Sequence, residues 1–199
     1  MRNSKVVPVI LASSSPRRIE LLKQCGLKCK ILPSNIKEDT KFKKPLNIVK
    51  DLAFKKAVFV AKKLKEGIVI GADTIVVFKG KIIGKPKSNK DSHRILSMLN
   101  GTFHRVYSGV AIIDAKTLKS EVGYEVSRVK MRKLSKDEIN NFAGKHMDKA
   151  GAYAVQEQND AFVDKIEGDY YNVVGLPLKK LAILLKNFKI KLPKVKDLY

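Results

Sequence analysis

Short apolar runs of strand length alternate along this chain with segments whose apolar residues recur at helical spacing, the signature of an α/β protein. Residues 6–12 read as a buried strand. Pro16 then opens a helix that Gly26 stops, since proline suits the first helical position and glycine the exit. A polar connection over 34–44 leads to a long amphipathic helix, 45–65, carried by Leu46, Val49, Leu52, Ala53, Ala57, Val60, Ala61 and Leu64. Beyond Gly67, β-rich runs at 68–72 and 75–78 flank Asp73-Thr74, and a Lys79-Gly80 turn leads to a short strand at 81–83.

The pattern continues with a helix over 89–99, Asn89 at its cap, and two long alternating runs at 103–113 and 120–130 that read as an antiparallel pair. Ser135-Lys136-Asp137-Glu138 is a capping-box pattern opening a short helix to Ala143. Gly168-Asp169-Tyr170-Tyr171 and Gly175-Leu176-Pro177 are expected to frame a last strand, followed by a closing helix over 176–188 and a frayed tail from Lys189. No repeats interrupt this order, and 199 residues suit one domain of two lobes sharing a core.

Charge is the one extreme of the composition: 41 Lys plus Arg against 19 Asp plus Glu, a formal +22. Such a field attracts polyanions. Yet 34 of the cations are Lys and 7 are Arg, spread over nearly every segment without a basic tail, so most read as solvated faces. A basic nucleic-acid-binding protein remains the alternative outside the enzyme class. Cys25 and Cys29 form neither a disulfide framework nor a zinc pattern, and His93, His104 and His146 lack ligand partners at helical spacing. No run approaches a membrane span, and the chain is expected to be soluble and cytoplasmic.

A few positions carry chemistry. Ser13-Ser14-Ser15-Pro16-Arg17-Arg18 lies between a buried strand and a helix start, where two cations oppose the helix dipole unless an anion sits among them. Asp73, in an apolar setting expected at a strand end, can hold Mg²⁺ or activate a water, or can serve as a structural carboxylate bonding nearby N–H groups. Glu38 is a second acid that chain order can bring over the same cleft. Lys85, fixed between Gly84 and Pro86, is the best placed lysine for a phosphate. The small, polar loop 148–153 lets a ligand approach backbone, and Gln156 can read a base edge.

Together, residues 11–18, Leu52-Ala53 with Lys56-Ala57, Gly71-Ala72-Asp73-Thr74, Gly84-Lys85-Pro86, 148–156 and Gly175-Leu176-Pro177 resemble the Maf family of nucleoside triphosphate pyrophosphatases, in order and from about residue 6 to 188. The resemblance implies a two-lobed mixed α/β sheet with flanking helices and a central cleft, similar to inosine triphosphate pyrophosphatase-like folds, as a homodimer. It implies hydrolysis of a nucleoside triphosphate to monophosphate and pyrophosphate with a divalent cation, Mg²⁺ or Mn²⁺. Asp73 and Glu38 fall on its essential, metal-holding acids, with Asp73 the proton acceptor. Ser13, Arg17 and Arg18 fall on its phosphate loop, and Lys56 and Lys85 on its triphosphate-contacting lysines. Arg17, Thr74 and Gln156 fall on positions of substrate choice. The 148–153 loop with Lys149 looks like the branch acting on dTTP and UTP, with the 7-methylGTP branch as the alternative. Glu157 departs from the glycine the family commonly carries there.

Overall fold

A computed structural model describes residues 7–155 and 162–193. Among them the elements follow the order β1 (Val9–Leu11), α1 (Pro16–Gln24), β2 (Lys30–Ile31), α2 (Pro45–Ala61), β3 (Ile68–Phe78), β4 (Lys81–Ile83), α3 (Asn89–Leu99), β5 (Phe103–Asp114), β6 (Ser120–Met131), α4 (Lys136–Phe142), β7 (Val163–Glu167), α5 (Tyr170–Val174) and α6 (Leu178–Lys186). The strands form one mixed sheet in the order β2-β1-β3-β5-β6-β7, with β4 also on β3. β1 runs parallel to β2 and β3, and the remaining pairs are antiparallel. This is the mixed α/β sheet with flanking helices that the sequence predicts.

Alternation along β1, β3 and β5 sends side chains to two apolar layers. Leu11, Ile68, Ile70, Val110 and Ile112 face a cluster with α1 and α6, while Ile10, Val69, Ala111 and Ile113 face Ala53, Ala57 and Val60 of α2. A third cluster gathers Val76, Val106, Val129 and Met131 with α3, α4 and Tyr153. Cys25 and Cys29 are free thiols, and burial pushes both up, Cys25 to about 11.

The local expectations hold except at four places. β3 runs without a break through Asp73-Thr74, because β5 pairs with it from Ile68 to Val77 and Asp73 lies opposite Gly109. Asp73 therefore stands inside a strand, not at its end. Ser88, not Asn89, caps α3, its hydroxyl accepting from the Asp91 N–H at 3.1 Å. The supposed last strand is the helix α5: Asp169 caps it by accepting from the N–H groups of Tyr171 and Asn172, and Gly175 ends it at φ +118°, a left-handed exit. The chain also stays packed past Lys189, with Leu192 buried in the cluster against α6. The capping box at Ser135 and Glu138 is formed as read.

The edge of β3 away from β5 is paired by β1 as far as Ile70 and by β4 from Val76 onward. Among the described strands, residues 71–75 have no partner on that edge.

Candidate active site

The segment leaving β1 is tied down first by backbone. The Ala12 N–H donates to the Ile70 carbonyl at 2.8 Å, and the Ser13 hydroxyl accepts from the Ser15 N–H at 3.2 Å. Pro16 occupies the first turn of α1, which has no acidic residue there and no side-chain cap, so its N-terminal dipole is left for an anion. Arg17 and Arg18 follow at once.

Arg18 does something the sequence did not announce. Its Nε donates to the Gly175 carbonyl at 2.9 Å, Nη1 to the Ala72 carbonyl at 3.0 Å and the Ser13 hydroxyl at 3.3 Å, and Nη2 to the Thr74 hydroxyl at 3.2 Å. Four of a guanidinium's five N–H groups are thus committed to the protein. Burial draws Arg18 below its ordinary pKa while Asp73 opposes that pull. The cost of this cation at a helix start is offset by two carbonyls, two hydroxyls and the nearby Asp73 carboxylate. Thr74 is held in the same way, 2.8 Å from the Ser108 hydroxyl, which itself donates to the Asn172 carbonyl at 3.0 Å.

On the other face of β3, α2 comes unusually close. A Cβ on Gly71 would lie 2.3 Å from the Ala53 carbonyl oxygen, and one on Gly109 2.1 Å from that of Val49. Glycine at both positions lets the helix backbone rest on the sheet and delivers Lys56, 8% exposed, to Asp73, 5% exposed. Lys56 Nζ lies 2.7 Å from Asp73 Oδ1 and 2.7 Å from Glu38 Oε1. One ammonium thus joins the two acids that the sequence singled out, Glu38 arriving from the polar connection before α2. Burial alone would raise the Glu38 carboxyl. The hydrogen bond and charge of Lys56, with Lys85 and Arg18 beyond, outweigh it and hold the group below its usual range.

Lys85 is exposed just after β4, and the neighbouring Gly84 carbonyl accepts from the Gly151 N–H at 3.3 Å, joining this segment to the 148–155 loop. In that loop Lys149 Nζ donates to Asp148 Oδ1 and His146 Nδ1, each at 3.1 Å. Gln156 and Glu157 lie outside the described residues.

These pieces line one cavity of about 360 Å³, within the range of small-molecule sites. Ser13, Arg17, Arg18, Glu38, Lys56, Asp73, Thr74, Lys85 and Lys149 all border it. The charge pattern sets three carboxylates, Glu38, Asp73 and Asp148, among five cations, Arg17, Arg18, Lys56, Lys85 and Lys149. Among the described residues no three His, Cys, Asp or Glu side chains converge. Two carboxylates nonetheless fit Mg²⁺ or Mn²⁺ shared with a phosphate ligand, because Mg²⁺ commonly takes one or two carboxylates and fills its shell with water and phosphate oxygens. Glu38, its side chain 54% exposed, has room to turn toward such an ion.

Sequence reasoning missed the polar tie from Thr74 through Ser108 to Asn172, and the buried contact of His104 with Tyr153. The only hint of the first was polar residues breaking apolar runs at matching positions of two adjacent strands. Nothing in the chain order signals the second.

Comparison with known proteins places the chain in a family. A sequence profile described as "Maf-like protein" matches residues 8–188. The dTTP/UTP pyrophosphatase of Elusimicrobium minutum is 48% identical over 180 residues, covering 90% of this chain and 98% of the relative. That of Acetivibrio thermocellus is 45% identical over 199 residues, covering 95% and 99%. Among solved structures, the Staphylococcus aureus Ham1 protein superposes with a TM-score of 0.53 at 13% identity, over 91% of this chain and 99% of its own, a likeness of fold. By its profile match and its relatives, the chain belongs to the Maf-like protein family.

Proposed function

We propose that this chain hydrolyses nucleoside triphosphates, dTTP and UTP foremost, to the monophosphate and pyrophosphate. The observation that carries the reading is the Lys56 ammonium held between Glu38 and Asp73 in a cavity that Arg17, Arg18, Lys85 and Lys149 also line. A triphosphate brings about four negative charges, and cleavage at the α-phosphorus places more on the departing pyrophosphate. The base preference rests on the names of the relatives.

In this reading the triphosphate lies along the α1 N-terminus, with Arg17, Lys85 and Lys149 drawing its oxygens and the Ser13 segment supplying polar contacts. Lys56 keeps the two carboxylates in place and adds charge toward the phosphates. Asp73 takes a proton from the attacking water. The water oxygen bonds to the α-phosphorus while the bond to the α–β bridging oxygen breaks, and the electron pair leaves with pyrophosphate. Asp73 and Glu38 are the residues that would hold a divalent cation, which when bound neutralises charge on the triphosphate oxygens. Arg18, with four N–H groups committed, sets the shape of the cradle more than it binds phosphate.

The test is turnover of dTTP, UTP, CTP, GTP and 7-methylGTP with Mg²⁺ and with Mn²⁺, by the protein and by Asp73→Asn, following release of pyrophosphate and monophosphate. Cleavage of dTTP and UTP by the wild type alone is expected. Preferential cleavage of 7-methylGTP overturns the base assignment. Absence of pyrophosphate release from every nucleotide overturns the enzyme reading and returns attention to the basic surface.

A further inference from the structure

The cations and carboxylates leave one wall of the cavity unexplained, the 148–155 loop. Its backbone is bent: Gly151 sits at φ +82° and Ala152, which carries a Cβ, at φ +60°. Left-handed residues of that kind persist where the surroundings over-determine them. The Gly151 N–H contact to the Gly84 carbonyl, at 3.3 Å, is long for such a task. Tyr153 is better suited. It is 5% exposed, borders the cavity, and packs its ring so closely on Gly151 that a Cβ there would lie 2.9 Å from its Cε1.

Behind that ring, away from the cavity lining, stands His104 of β5, 3% exposed. Its Nε2 lies 2.6 Å from the Tyr153 hydroxyl, with the rings edge-on at a centroid distance of 5.3 Å. Its Nδ1 has no hydrogen-bond partner among the described residues, so the tyrosine is the one polar tie of this imidazole. A buried histidine with a bare second nitrogen is a poor filler of an apolar core, where leaving a polar atom unpaired carries a cost. It makes sense where its single bond matters. Burial draws His104 down to about 4 and pushes Tyr153 up, so both partners are neutral near pH 7.

We infer that His104 is a positioning residue of this cavity: by holding the Tyr153 hydroxyl it fixes the bent 148–155 loop against a bound nucleotide. The inference rests on the nucleotide reading above. His104 touches no reacting atom. It acts through Tyr153, whose ring and following backbone form the wall, while Lys149 on the same loop is steadied separately by His146. Without the tie the loop samples other conformations, and apparent affinity falls with the fraction of competent molecules.

The experiment compares wild type, His104→Leu, His104→Gln, Tyr153→Phe and the double variant His104→Leu/Tyr153→Phe. It reads kcat and KM for dTTP with Mg²⁺, and amide hydrogen exchange of residues 150–155 without nucleotide. His104→Leu and Tyr153→Phe should each raise KM about fivefold, the scale of one lost hydrogen bond, with kcat within about twofold. The double variant should be no worse than either single one, since both remove the same contact. His104→Gln, whose amide nitrogen reaches near the Nε2 position, should recover most of the loss. Exchange over 150–155 should quicken in the leucine and phenylalanine variants. Unchanged KM and exchange, even with a lowered Tm, overturn the inference, as do additive effects in the double variant. If the wild type does not turn over dTTP, the functional reading fails, and exchange decides the anchoring alone.

Discussion

Arg18 and Gly175, separated by 157 positions, are joined by a 2.9 Å hydrogen bond from the arginine Nε to the glycine carbonyl. The same guanidinium reaches Ala72 and Thr74 on β3 and Ser13 on the segment leaving β1. It therefore pins three parts of the chain together: the loop after β1, the unpaired stretch of β3 and the turn between α5 and α6. The α5–α6 turn cannot shift without loosening this wall of the cavity. The geometry depends on a planar fork, which lysine lacks.

Arg18→Lys should accordingly act on stability as well as on activity. An ammonium retains the charge but cannot serve the carbonyls of Ala72 and Gly175 and the two hydroxyls at once. Losing two such bonds costs about 2 kcal/mol, or roughly 4–8 °C in Tm for a chain of this size. Thermal unfolding monitored by circular dichroism checks this. A Tm equal to wild type, with only KM raised, would make Arg18 a phosphate ligand after all.

Lys56 invites a different substitution. Lys56→Met removes the cation from a buried pair and leaves Asp73, enclosed, beside Glu38. Breaking a buried pair on one side costs about 3 kcal/mol, and turnover should fall at least about a hundredfold because both carboxylates lose their tether. Lys56→Arg, which keeps the charge, should recover part of the stability. Urea unfolding of the three proteins beside dTTP turnover separates the two effects.

The α/β order, the amphipathic α2 and the antiparallel β5–β6 pair were legible because period and length agree there. Ser13, Arg17, Arg18, Asp73 and Lys85 were legible because polar and charged groups in apolar or glycine-rich settings need a reason, whereas Lys56 and Thr74, which also line the cavity, were singled out only by the family resemblance. Asp73 was misplaced within its strand, since a polar pair in an apolar run looks like a break until β5 is seen to pair straight through it. The stretch framed by residues 168–171 and 175–177 read as a last strand, while the Asp169 cap and the left-handed Gly175 made a helix. Arg18 was read by its charge, and its role lies in directions that only the folded chain defines.

Gly71 and Gly109 form a prediction of their own. Each faces a carbonyl of α2 at a distance no Cβ tolerates. Gly71→Ala or Gly109→Ala must lift the helix, with an overpacking cost of about 1–3 kcal/mol. Lifting α2 also draws Lys56 from Asp73, so dTTP turnover should fall by more than the stability loss explains. Gly80→Ala is the control for activity: it lies in the β3–β4 turn with nothing within 4 Å of an added Cβ, though φ +77° strains the backbone. Turnover measured well below each variant's Tm decides. Equal activity in Gly71→Ala and Gly80→Ala would disconnect α2 packing from the site.

His104 gives the fold a pH dependence whose sign follows from burial, the one cause of its shift to about 4. An unfolded histidine titrates near ~6.5. Between these values the unfolded chain binds a proton that the folded chain refuses, so stability rises with pH across that window. Above about pH 6.5 the imidazole is neutral in both states and exacts nothing. As pH falls toward 4 the folded state loses on the order of 3 kcal/mol to this group. His104→Gln has no proton to take up and should show a shallower fall in unfolding free energy from pH 6.5 to 4, the carboxylates contributing alike to both proteins. Urea midpoints at half-unit steps measure the difference. Parallel curves for the two proteins would mean that His104 titrates as an ordinary surface histidine and that its contact with Tyr153 does not persist in solution.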